Sequence, residues 1–234
     1  MKLIIENLSK SFENKKVLEN VSYEFDKGIV YALLGRNGSG KTTLFSLISS
    51  QLEKDCGKAY IESDGKKIEL SPKNLFFMNS TPKLPNFLTG REFIKFFVEA
   101  NEDKIDGNIS IDQYFKMVNF DLEDSNKLIQ GYSTGMKNKI QMMMFLIIKP
   151  LVILMDEPLT SLDVVVQLEM KRLIRQIHED HIIIFSTHIL TLAKDLCDEI
   201  VLLHDKKLER VDRKIINEPS FEDEIIRLLS DDNY

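Results

Sequence analysis

The spacing of apolar side chains changes twice along this chain. Near the start, residues 2–7 form a short apolar run and residues 21–25 alternate apolar with polar, which predicts two strands. Residues 29–34 are apolar without a break, the pattern of a strand covered on both faces. That run enters a cluster of glycines. Beyond it Leu44, Leu47, Ile48 and Leu52 fall at helical spacing and predict a helix over residues 42–52. Short pieces with turn signals follow: residues 57–61, Asp64-Gly65, residues 68–70 and Leu75–Met78.

Downstream the period becomes helical. Phe93, Ile94, Phe96, Phe97 and Val98 predict an amphipathic helix over residues 91–101, and Tyr114, Phe115 and Val118 predict another over 111–120. A third, rich in Met and Ile, covers 135–149, and its Met142, Met143 and Met144 read as core packing. Together these predict an all-helical insert of roughly residues 80–148. The last third returns to alternation: strands at 151–155, 182–186 and 200–203, with helices at 164–179 and 191–196. Buried strands alternating with helices predict an α/β fold built on a mostly parallel sheet, preceded by an antiparallel β portion. Residues 1–216 read as one domain. Residues 217–234 read as an acidic tail with one short helix carrying Phe221, Ile225, Ile226, Leu228 and Leu229.

Charge adds little to this picture. The 31 Lys plus Arg against 37 Asp plus Glu leave a net charge of −6, of which the tail carries −5. No basic surface points to nucleic acid as the main partner. The longest apolar run, 142–148, is far short of the roughly twenty residues a membrane-spanning helix needs. Two cysteines, Cys56 and Cys197, without CxxC spacing, give neither a disulfide framework nor a zinc site, and fit a reducing cytosolic setting.

The chemistry sits where the first buried strand ends. Gly35-Arg36-Asn37-Gly38-Ser39-Gly40-Lys41-Thr42 fits GxxxxGK[ST] between a strand and a helix. Glycines let backbone N–H groups curl inward around phosphate oxygens, and the helix start adds its positive end. Lys41 then reaches the β- and γ-phosphates, and the Thr42 hydroxyl ligates Mg²⁺. Alone, this motif does not separate kinases, GTPases, helicases and transport ATPases. The apolar run 151–155 ends in Asp156-Glu157, at the sheet edge where ligands bind. Asp156 is placed to hold Mg²⁺ and Glu157 to polarise an attacking water.

Three further elements complete an order. Tyr132-Ser133-Thr134-Gly135-Met136 precedes the acidic pair, Ser161-Leu162-Asp163 follows it, and Ser186-Thr187-His188 closes a later buried run. In this order and spacing the chain resembles the nucleotide-binding subunits of ABC transporters from about residue 2 to residue 210, with Tyr132–Met136 a variant of their LSGGQ signature. It looks most like prokaryotic exporters whose membrane subunit is a separate polypeptide. The resemblance implies that Phe12 stacks on adenine and that Gly35 to Thr43 form the phosphate loop. It implies that Ser133 and Gly135 contact the γ-phosphate of ATP held by a second subunit, that Asp163 lies across that dimer interface, and that His188 contacts the γ-phosphate. It further implies a transmembrane permease as partner, met by the helical insert, and a place at the cytoplasmic face of the membrane.

Two departures stand out. The family's glutamine at the start of the helical insert, a Mg²⁺ contact, is replaced at the aligned Asn79 or Ser80. Thr134 and Met136 replace the second glycine and the glutamine of the signature. Two other readings share the motifs: a dimerising sensor or resistance module with little turnover, and an ABC-type ATPase acting without a membrane partner. A P-loop kinase has no use for Tyr132–Met136 or His188.

Overall fold

The computed structural model describes residues 1–13, 15–105, 109–160, 162–216 and 218–230. Ser161, Asn217 and the acids Asp231 and Asp232 lie outside the described residues. In chain order come β1 (Lys2–Phe12), β2 (Lys15–Asp26), β3 (Val30–Leu34), α1 (Lys41–Ile48), β4 (Cys56–Ser63), β5 (Lys66–Glu69), β6 (Leu75–Met78) and α2 (Gly90–Glu99). Then follow α3 (Ile111–Met117), α4 (Thr134–Ile148), β7 (Val152–Asp156), α5 (Val164–Ile177), β8 (Ile182–Thr187), α6 (Leu190–Leu196), β9 (Glu199–His204), β10 (Lys207–Arg210), α7 (Arg213–Ile216) and α8 (Phe221–Ser230).

The strands form two sheets. One is antiparallel, in the order β2-β1-β4-β5; the other runs β10-β9-β3-β8-β7-β6, parallel except for the edge strand β10. The expected α/β class, with a mostly parallel sheet and an antiparallel N-terminal portion, is what is found.

Alternation explains the layers. In β3, Tyr31 and Leu33 face one core while Val30, Ala32 and Leu34 face another. β7 and β8 divide the same way, with Leu154 and Ile184 on the first side and Ile153 and Ile183 on the second. The first core is closed by α1 and the antiparallel sheet, through Leu44, Phe45, Leu3 and Ile61. The second takes Ile94, Phe115, Ile140 and Met143 from α2–α4, then Ile174 and Ala193. A parallel sheet buried on both faces has no polar side, which is why its strands read as unbroken apolar runs.

Regular helix within residues 80–148 begins at Gly90, where Thr89 and Glu92 form a capping box. Thr89 also makes an isolated bridge to Leu128. Met142 and Met143 are buried, as core packing requires. Both cysteines are free, Cys56 exposed and Cys197 buried.

Candidate functional site

Three neighbouring strands deliver the chemistry to one edge. Register pairs Leu34 with Thr187 and Asp156 with Ser186, so β3, β8 and β7 end at the same height. The next residues are Gly35, His188 and Glu157.

The phosphate loop is shaped by backbone that only glycine takes freely. Gly38 sits at φ 79° and Gly40 at φ 107°, and a Cβ on Gly40 would lie 2.8 Å from Val17. Lys41 folds back over the loop, donating to Gly35 O at 2.8 Å and Arg36 O at 3.3 Å. Burial pushes its ammonium below the usual lysine range, against the pull of Glu157 and Asp156. A phosphate arriving here supplies the counter-charge that Lys41 otherwise takes from carbonyl dipoles.

Asp156 accepts from Thr42 Oγ1 at 2.7 Å and from Ser186 Oγ at 2.6 Å. Ser186 in turn accepts from Glu157 N–H at 3.0 Å, holding Glu157 at φ 50°, a conformation that costs a non-glycine residue energy. The Glu157 carboxylate is fixed at both oxygens: His188 Nδ1 lies 3.0 Å from Oε1, and Thr160 Oγ1 donates to Oε2 at 2.8 Å. Ser186 and Thr160 were not assigned roles from the sequence. Ser186 stands in the Ser-Thr-His run, but nothing in its spacing says that it joins Asp156 to Glu157.

Lys41, Thr42, Asp156 and Glu157 line an open cleft of about 430 Å³ with Phe12, Val17, Asn37, Gly38, Gly40, Thr43 and Ser80; His188 reaches it only through its contact with Glu157. Phe12 is 44% exposed and carries Lys10 Nζ 5.5 Å from its ring centre. Of the two candidates for the missing glutamine, Ser80 borders this cleft; Asn79 does not. Arg36 and Ser39 line the other side of the loop, near Lys15, Lys16 and Lys206.

Ser133, Gly135 and Asp163 are elsewhere. They share a separate cleft of about 250 Å³ with Asn119, Asp121, Asp124 and Lys139, and it has no residue in common with the phosphate-loop cleft. Ser133 caps α4 by accepting from Met136 N–H at 3.2 Å, and Asp163 caps α5 by accepting from Val165 and Val166 N–H. Tyr132 anchors the first of these caps. Its hydroxyl donates to Asp124 O at 2.8 Å and accepts from Gly90 N–H at 3.2 Å. A Cβ on Gly90 would meet that hydroxyl at 2.4 Å, so a side chain there would have to displace Tyr132.

A strand-to-helix glycine loop, its lysine and threonine, and an acidic pair at the end of a nearby parallel strand define a P-loop nucleoside triphosphatase. The comparisons narrow the class. The family model described as ABC transporter matches residues 18–160, more than half the chain. An uncharacterized ABC transporter ATP-binding protein of Methanocaldococcus jannaschii is 32% identical over 222 residues, covering 92% of this chain and 80% of that one. A sulfate/thiosulfate import ATP-binding protein of Synechocystis is 29% identical over 221 residues, 90% of this chain and 60% of that protein. Among solved structures, the dimeric post-hydrolysis state of the ATP-binding cassette MJ0796 bound to ADP and Pi has a TM-score of 0.75. Its identity is 21%, over 90% of this chain and 99% of that one. This chain belongs to the ABC transporter family, as an ATP-binding subunit with ATPase activity.

Proposed function

We propose that two copies of this subunit, or this chain and a close relative, close head to tail over ATP and drive transport through a separate transmembrane permease. The observation that carries this reading is the division of the site. The cleft with Lys41, Asp156 and Glu157 and the cleft with Ser133, Gly135 and Asp163 share no residue. In this reading the second half of each nucleotide's site comes from another chain, and ATP bound between chains holds them together.

The donors suit Mg²⁺. Thr42 Oγ1 and Asp156 Oδ2 are hard oxygens 2.7 Å apart. Among the described residues no group of three or more His, Cys, Asp or Glu gathers as an all-protein cage. Magnesium, which keeps water and substrate phosphates as ligands, needs no such cage. When bound it would neutralise charge on the β- and γ-phosphates, and Ser80 lines the same cleft. Lys41 exchanges its loop carbonyls for phosphate oxygens. Phe12 offers a ring face to the adenine. Glu157, steadied by His188 and Thr160, orients the water whose oxygen bonds to the γ-phosphorus as the bond to the ADP oxygen breaks. Loss of that phosphate removes the bridge between chains, and the pair opens.

Among the described residues no helix is long and apolar enough to cross a membrane. We read the permease as another polypeptide, met by the helical block of about residues 80–148 at the cytoplasmic face. The Tyr132–Met136 variant of the signature favours export; similarity to a sulfate/thiosulfate import subunit is the observation on the side of import.

The test uses Glu157→Gln. We expect hydrolysis to fall at least about 100-fold, with Mg·ATP converting the protein from monomer to dimer in light scattering. A variant that binds Mg·ATP yet stays monomeric at all concentrations overturns the reading.

A further inference from the structure

Three helices meet at a polar contact beside the second cleft. α3 ends in a Schellman turn: Phe120 N–H donates to Phe115 O at 2.9 Å and Asn119 N–H to Lys116 O at 3.1 Å, with Asn119 at φ 48°. The Phe115 and Phe120 rings pack 5.3 Å apart across it. The turn presents Asn119 to both neighbouring helices. Its carbonyl accepts from Lys139 Nζ of α4 at 2.8 Å, and its side-chain amide donates to Glu169 Oε1 of α5 at 3.1 Å. Lys139 Nζ also lies 2.7 Å from Glu169 Oε2, with the two side chains only 12% and 17% exposed. That last contact is ionic rather than hydrogen-bonded, because Oε2 accepts no hydrogen bond among the described residues.

Charges withdrawn this far from water gain little net stability over an apolar contact of the same shape. What they add is geometry. Lys139 stands six residues beyond the cap Ser133, and Glu169 stands six residues beyond the cap Asp163. Each Cα is therefore about 9 Å along its own helix from its cap, and at the two helix starts a Cβ on Gly135 would lie 3.7 Å from Val166 Cγ2. Those starts are the Ser133, Gly135 and Asp163 side of the second cleft, which Asn119 and Lys139 also line.

We infer that Lys139, clasped by Glu169 and Asn119, is a positioning residue that holds Ser133 and Gly135 in register with Asp163, so that one chain can close over the ATP of another. This rests on the composite site proposed above. The clasp joins the helical block, through α3 and α4, to α5 of the ATPase core, and it acts at the closing step rather than at capture of the nucleotide.

The experiment is run in the Glu157→Gln background, with Mg·ATP and analytical ultracentrifugation. Single-chain binding is measured separately, by titrating the dilute protein with a fluorescent ATP analogue. Lys139→Met should weaken ATP-driven dimerisation at least about tenfold while single-chain affinity stays within about twofold, and Lys139→Arg should restore most of the loss. Lys139→Met together with Glu169→Leu removes the orphan carboxylate, so the thermal midpoint should recover while dimerisation should not. That double variant carries the reading if the single one fails to fold. Dimerisation at parental strength in the folded Lys139→Met or the double variant overturns the clasp alone. A parent that stays monomeric overturns the composite site, and the clasp with it.

Discussion

Ser186 shows how much of the site rests on a side chain with no chemistry of its own. Its hydroxyl is buried between two groups, donating to Asp156 and accepting from the Glu157 amide. Replacing it with alanine leaves a carboxylate oxygen short of a donor and a backbone N–H without an acceptor, a cost of about 1–3 kcal/mol. It also releases the φ 50° conformation that aims Glu157. Ser186→Ala should therefore lose about that much stability in urea unfolding, and its kcat should fall about tenfold or more with a smaller change in KM for ATP. A kcat equal to that of the parent would make Ser186 a strand residue and nothing more. The loop from Gly35 to Thr42 was legible in the sequence because residue type alone dictates its geometry. Ser186 and Thr160 were not, since their partners, Asp156 and Glu157, are brought close by strand register and a local turn that residue types do not reveal.

At the level of elements, what escaped the sequence has identifiable causes. Periodicity ends β1 at residue 7, whereas the strand runs to Phe12, because Asn7 at φ 50° makes a bulge that resets the alternation. Asn20 does the same to β2, which begins at Lys15 rather than residue 21. β10 was not expected because its pattern is exposed and charged, as an antiparallel edge strand permits. α3 stops at Met117, short of residue 120, because Asn119 turns left-handed. At the opposite edge of the sheet from the site, His181 ties three entrances together. Its ring meets Pro150 O before β7, and its own carbonyl accepts from Gly28 N–H ahead of β3. Burial holds its imidazole below the ordinary value of 6.5, although the Pro150 carbonyl favours the protonated ring. The native state then carries His181 neutral while the unfolded chain binds a proton, so stability is present above pH 6.5 and is lost as pH falls below it. His181→Gln should flatten that acid-side loss in denaturant midpoints taken as a pH series. An unchanged slope would place the titrating group elsewhere.

Across the whole molecule, the composite site proposed above puts half of an ATP site on one sheet edge and the other half at the starts of α4 and α5. On that proposal the chain is incomplete alone, which makes a test that no single-chain ATPase can pass. Lys41→Ala disables the phosphate-loop half and leaves Ser133 and Gly135 intact; Ser133→Arg does the reverse. Each variant alone should be inactive. When they are mixed, a mixed pair has one site with both halves damaged and one with both halves sound. If pairing is random and the sites turn over independently, half the pairs are mixed and each works at one of its two sites. The mixture should then recover about a quarter of the parental ATPase rate per chain. Coupling between the two sites would lower that recovery toward a few per cent, but activity must still rise with the square of dilution-limited protein concentration, as only a pair can supply it. A mixture that stays at the level of its components would mean that Lys41 and Ser133 never serve one nucleotide from two chains.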